Sequence, residues 1–107
     1  NKGILRVDIR ARRVFIRDVE LDPPLSGNQF RLLEQLYAAP GEVVTRAQLI
    51  TAVWGEDALG ISEQALDALV RRLRERLAEV ETEHDFVVTV RGHGLRLENP
   101  RAEASDE

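Results

Sequence analysis

The chain has 107 residues, 43% of them hydrophobic and 32% charged, which is enough for one buried core and too few for two independent ones. No apolar run approaches the roughly 20 residues of a membrane helix and the start "NKGILRVDIRA" has no long apolar segment of the secretion-signal kind; with cysteine absent there is no disulfide framework and no thiolate metal site, so the reading is a cytoplasmic chain that does not meet a membrane. The formal net charge of −4 argues against a polyanionic partner only until its distribution is seen, because the segment from Glu98 to the end holds four acids against one arginine and leaves residues 1–97 near balance.

In chain order, "ILRVDIR" and "RRVFIRDVEL" are rich in Val, Ile and Phe with partial period-2 alternation, which predicts short antiparallel strands with one buried face. "LDPPL" interrupts them, since proline lacks the donor a strand needs. A first helix follows: Ser26 and Gln29 have capping-box spacing, and Phe30, Leu33, Leu36 and Tyr37 recur on one face until "PGEVV" ends it. Thr45 and Gln48 repeat that spacing and open a second helix with Leu49, Ile50, Val53 and Trp54 on its apolar side and Gly55 as its stop.

Ser62 caps a third helix, in which Leu66, Leu69, Val70, Leu73, Leu77 and Val80 form a single stripe. "VRRLRERL" then places four arginines in eight residues. At about 100° per residue, Arg71 lies well away from the apolar stripe, surrounded by Gln64, Ala68 and Glu75, with Arg72 and Arg74 on the flanks and Arg76 nearer the core edge. After "ETEHD", the segment "FVVTVRGHGLRLE" reads as two alternating strands joined through glycines, a hairpin. The domain is read as residues 1–98 and the remainder, 99–107, as an acidic, disordered tail.

This order of strands, three helices and hairpin resembles the winged helix-turn-helix effector domain of the OmpR/PhoB type, an α+β fold. The pieces that carry the resemblance are "QFRLLEQL", "PGEVVTRAQLITAVWG", "LDALVRRLRERL" and "VVTVRGHGLRLE", over roughly residues 20 to 98. "PPLSGNQFRLLEQLY" looks more like the subset fused to a forkhead-associated or other non-receiver module, and Leu95 stands where the family has an aromatic. The resemblance implies a third helix in the DNA major groove and a terminal hairpin, the wing, toward the minor groove. It matches Arg71, Arg72 and Arg74 to the R-R-L-R run of the recognition helix, Thr89 and Arg91 to the wing's T-V-R-G, and Arg46 to a second-helix arginine near the DNA backbone. It also matches "GEDALGIS", the 55–62 loop, to a loop that contacts RNA polymerase.

Elementary chemistry is consistent with those assignments. A guanidinium fork fits phosphate oxygens or guanine O6 and N7, and a helix is the right width for the major groove. Ala68, small and facing outward, lets the backbone approach a base edge, and Gly92 and Gly94 permit a tight tip beside Arg91.

Each feature also has a plainer explanation. Charged helix faces are commonly just solvated, and the spacings Asp67 to Arg71 and Arg71 to Glu75 suit intrahelical ion pairs of about 0.3–0.5 kcal/mol each. Arg46 could cap or pair locally, Thr89 is a good strand residue, Trp54 reads as a core anchor, and His84 and His93 as surface histidines and no metal pair. "GHGLRL" lacks the third glycine and the strand-to-helix setting of a dinucleotide loop, and there is no G-x-S-x-G, P-loop or H-E-x-x-H. Neither an enzyme, nor a cofactor, nor a metal is expected.

The expectation is therefore sequence-specific binding of double-stranded DNA by a transcription regulator's effector domain, through Arg46, Gln64, Ala68, Arg71, Arg72, Arg74, Thr89 and Arg91, with a homodimer on DNA as a further possibility to test. The competing expectation is a winged-helix interaction module that meets RNA polymerase or another acidic protein.

Overall fold

Period-2 alternation at the N-terminus produces a sheet with one apolar face. In the computed structural model, which describes residues 3–101, β1 (Leu5–Asp8) pairs antiparallel with β2 (Arg13–Ile16), Leu5 opposite Ile16 and Val7 opposite Val14. Directly opposed residues share a face, and all four of these side chains are buried. The segment "RRVFIRDVEL" holds two strands, because Arg17 and Asp18 adopt φ of +51° and +69° and turn the chain back into β3 (Val19–Glu20). Positive φ at both central residues is the two-residue hairpin turn that matches strand twist. Arg12, also at positive φ, lays its guanidinium 4.6 Å from the ring centre of Phe30 and ties this sheet to the first helix.

The first helix, α1 (Gly27–Ala38), begins at the Ser26–Gln29 capping box, with the Ser26 hydroxyl accepting from the Gln29 amide and the Gln29 side chain from the Ser26 amide. It buries Phe30, Leu33 and Leu36 as expected, and Leu32 as well. Leu32 falls outside the narrow stripe expected from the sequence; α1 packs against α2 (Arg46–Trp54), α3 (Glu63–Ala78) and the hairpin, so more than one of its faces is covered. Thr45 and Gln48 form the second capping box, and Gly55 at φ +57° ends α2. A 3-10 turn over Gly55–Gly60 then leads to Ser62, whose hydroxyl accepts from the Ala65 amide at the start of α3.

The hairpin is β5 (Val87–Val90) and β6 (Gly94–Leu97), with Val87 opposite Leu97 and Thr89 opposite Leu95. "PGEVV" does more than end α1. Val43–Val44 forms a short strand, β4, on the far side of β6, so this sheet runs β4-β6-β5. Two residues carry too little periodicity to announce a strand; only the pairing partner, some fifty residues on, makes them one.

The boundary expected at residue 98 falls short. The Asn99 side chain accepts from the Leu5 amide and donates to the Leu5 carbonyl, both at 2.8 Å, and the Pro100 carbonyl accepts from the Ile4 amide. These bonds pair the start of β1's outer edge, at Ile4 and Leu5. The rest of the tail, residues 102–107, lies outside the described residues.

Candidate nucleic-acid interface

The site is the outward side of α3 with the adjoining hairpin. Leu66, Val70, Leu73 and Leu77 are buried and Leu69 and Val80 partly so, which turns Gln64, Asp67, Arg71, Arg72 and Glu75 to solvent and leaves Ala68 at intermediate exposure between them. Among the described residues, Arg71 and Arg72 take part in no ion pair. The intrahelical pairs that spacing alone suggested, Asp67 with Arg71 and Arg71 with Glu75, do not form. Asp67 is held elsewhere.

Its partner is Arg46, on the first turn of α2. The Arg46 fork donates from Nε to Glu63 at 2.8 Å and from Nη2 to Asp67 at 2.6 Å and to the Glu63 carbonyl at 3.2 Å. The hydrogen bond that Arg46 donates to Asp67, followed by the one it donates to Glu63, raises the Arg46 pKa further, against the opposing effect of burial. The arginine that the resemblance puts near the DNA backbone is thus already engaged with two carboxylates at the start of α3, and its side chain is only 29% exposed. It also offsets two negative charges that would otherwise face an approaching phosphate.

Arg74 and Thr89, expected as separate contacts, are brought together. Arg74 donates from Nε to the Val87 carbonyl at 3.0 Å and from Nη2 to the Thr89 hydroxyl at 2.7 Å. Arg91 follows β5 and is exposed at the tip, where Arg91, Gly92 and His93 connect the strands and the His93 amide donates to the Val90 carbonyl at 2.9 Å. Gly92 supplies the tip's φ of +81°. Gly94 has a different reason: a Cβ there would lie 2.1 Å from the Val44 carbonyl oxygen, so its task is close approach to β4.

Of the other residues singled out, Trp54 packs against the core, Arg76 is tied to Glu79 and to the Pro23 carbonyl, and the described residues include no group of three metal-ligating side chains. The sequence reading missed Glu63 altogether and gave Asp67 to the wrong arginine. No local signal pairs residues seventeen and twenty-one positions apart. The full exposure of Leu59 in the 55–60 turn was also unforeseen.

The sequence pattern of the transcriptional regulatory protein C-terminal family matches residues 20–97, which take in α1 through β6 and all eight candidate contact residues. The chain belongs to this OmpR/PhoB-type family of DNA-binding domains. The effector domain is 40% identical over 96 residues to the sensory transduction protein RegX3 of Mycolicibacterium smegmatis, covering 90% of this chain and 41% of that protein. It is 39% identical over 97 residues to the phosphate regulon transcriptional regulatory protein PhoB of Rhizobium meliloti, covering 91% and 41%. The chain therefore spans less than half the length of these curated relatives. Among solved structures, the DNA-binding domain of the response regulator AdeR in complex with an intercistronic region superposes with a TM-score of 0.78 at 26% identity, covering 94% of this chain and 99% of that one. The Klebsiella pneumoniae RstA DNA-binding domain in complex with the RstA box gives 0.75 at 26% identity, covering 92% and 94%. No helix among the described residues is long and apolar enough to cross a membrane.

Proposed function

We propose that this effector domain, a DNA-binding domain of a transcription regulator, reads duplex DNA with α3 in the major groove and the β5–β6 wing toward the neighbouring minor groove. The observation that carries the reading is the pair Arg71 and Arg72, exposed on α3 and in no ion pair among the described residues, while Asp67, one turn before Arg71, is held by Arg46. Gln64 and Ala68 face base edges beside Arg71, Arg91 reaches the minor groove or its rim, and Arg46 and Thr89 lie by the DNA backbone. The mechanism is recognition without chemistry, and the setting is the cytoplasm.

Titration of affinity against salt tests it. Contacts to three to five phosphates give a log–log slope of about −3 to −4.5, since each neutralised phosphate releases counterions. A shallow slope with no preference for duplex would instead favour a protein partner. That second function has its own support in the 55–60 turn, where Leu59 is fully exposed next to the exposed Glu56 and Asp57. An apolar side chain so placed is suited to cover by RNA polymerase or another protein, and the two functions are compatible on one domain. For pairing on DNA, selection from random duplexes is the measurement; tandem half-sites about one helical turn apart are the expected result for a homodimer.

A further inference from the structure

We infer that Arg74 is a positioning residue for DNA recognition, one that locks the wing at a fixed setting against α3; the inference rests on the DNA-binding reading above and deepens it. The sheet order β4-β6-β5 leaves β5 as an open edge. On the other side, β6 is held by β4 through Val43 and Val44. Among the described residues no strand pairs with β5 on its outer side, and that is where the Arg74 fork sits.

Its two bonds land on the Val87 carbonyl and, two residues on, on the Thr89 hydroxyl, acceptors that one guanidinium spans. Thr89 lies on the same strand face as Val87 and its opposite number Leu95, both buried, and is itself exposed at the margin of that face, where it meets the exposed Arg74. One bond would act as a hinge. Two bonds from a planar, rigid guanidinium define both the distance and the angle between helix and strand.

The brace lies between the exposed arginines. Arg71 is one helical turn before Arg74, on the same side of α3, and Arg91 is two residues beyond Thr89. A helix in one groove and a hairpin in the next must straddle the phosphate strand that separates them. The bridge sets the width of that straddle, so Arg71 and Arg91 arrive at their sites together. Lysine would keep the charge but present a single ammonium in place of the fork.

The test compares the wild type with Arg74→Lys, Thr89→Val and the double variant, on a duplex recovered by the wild-type protein from random DNA. Thermal melting shows that each variant is folded at the assay temperature. The expected result is a loss of about tenfold in affinity for Arg74→Lys and a smaller loss for Thr89→Val, with the double variant no worse than Arg74→Lys because both remove one device. Minor-groove protection from hydroxyl radicals is lost under the wing while protection of guanine N7 by α3 remains. Affinity of Arg74→Lys within about twofold of wild type, or additive losses with the wing footprint intact, overturns the inference and leaves Arg74 as a charge on a phosphate. Should Arg74→Lys fail to fold, Thr89→Val decides alone: an unchanged wing footprint overturns the brace. A wild-type protein that enriches no duplex overturns the DNA-binding reading itself, and this is seen before any variant is compared.

Discussion

Four of the five arginines in or beside α3, Arg46, Arg71, Arg72 and Arg74, differ in what they touch, and that difference sets what each substitution should do. Arg46 is engaged with Glu63 and Asp67, Arg74 with Val87 and Thr89, whereas Arg71 and Arg72 face solvent. Arg72 is exposed and takes part in no ion pair among the described residues, so Arg72→Ala removes none. It is expected to leave the thermal midpoint in place, weaken duplex binding, and reduce the magnitude of the salt slope by about 0.9 if one phosphate contact is lost. An unchanged affinity in a gel-shift titration would contradict its assignment. The outward placement of these two guanidiniums was legible in the sequence, since the apolar stripe from Leu66 to Val80 determines which side of α3 faces away. The engagement of Arg46 was not, because its acids come from another helix.

At the scale of elements, the helices announced themselves through caps and stripes, and the hairpin through alternation and glycines. The two glycines near the tip look equivalent in sequence and are not. Gly92 has open space around a φ of +81°, whereas Gly94 presses on the Val44 carbonyl. Gly92→Ala should cost only the left-handed conformation, about 1–2 kcal/mol. Gly94→Ala must also displace β4, and overpacking of this kind costs about 1–3 kcal/mol on its own. Chemical denaturation should therefore rank Gly94→Ala as the more damaging; the reverse order would contradict the β4–β6 contact.

Across the whole molecule, long-range bonds tie the first sheet to the DNA-binding half. Asn99 and Pro100 join the end of the wing sheet to β1. Glu81, buried just past α3, accepts from the Glu83 amide at 2.8 Å and from Arg17 Nε at 3.1 Å, linking the β2–β3 turn to the end of α3. The Glu83 amide foremost, then the Arg17 guanidinium, hold the Glu81 pKa below the ordinary glutamate value, against burial. A carboxylate with a depressed native pKa contributes stability that is fully present above the unfolded value and is lost as pH falls through the native one. Glu81→Gln should accordingly melt lower than wild type at neutral pH, and the gap should close in acid below the glutamate range. A gap independent of pH would show that the charge is not what matters.

Local chemistry acts over a few residues, so the amino-acid order alone determined the capping boxes at Ser26 and Thr45, the buried stripe of α3, the hairpin, and the outward turn of Arg71 and Arg72. Contacts between distant segments obey no such local rule. Only the folded chain decided that Asp67 belongs to Arg46, that Val43 and Val44 become a strand beside β6, and that Arg74 meets Thr89, because each of these depends on where separate elements come to rest against one core.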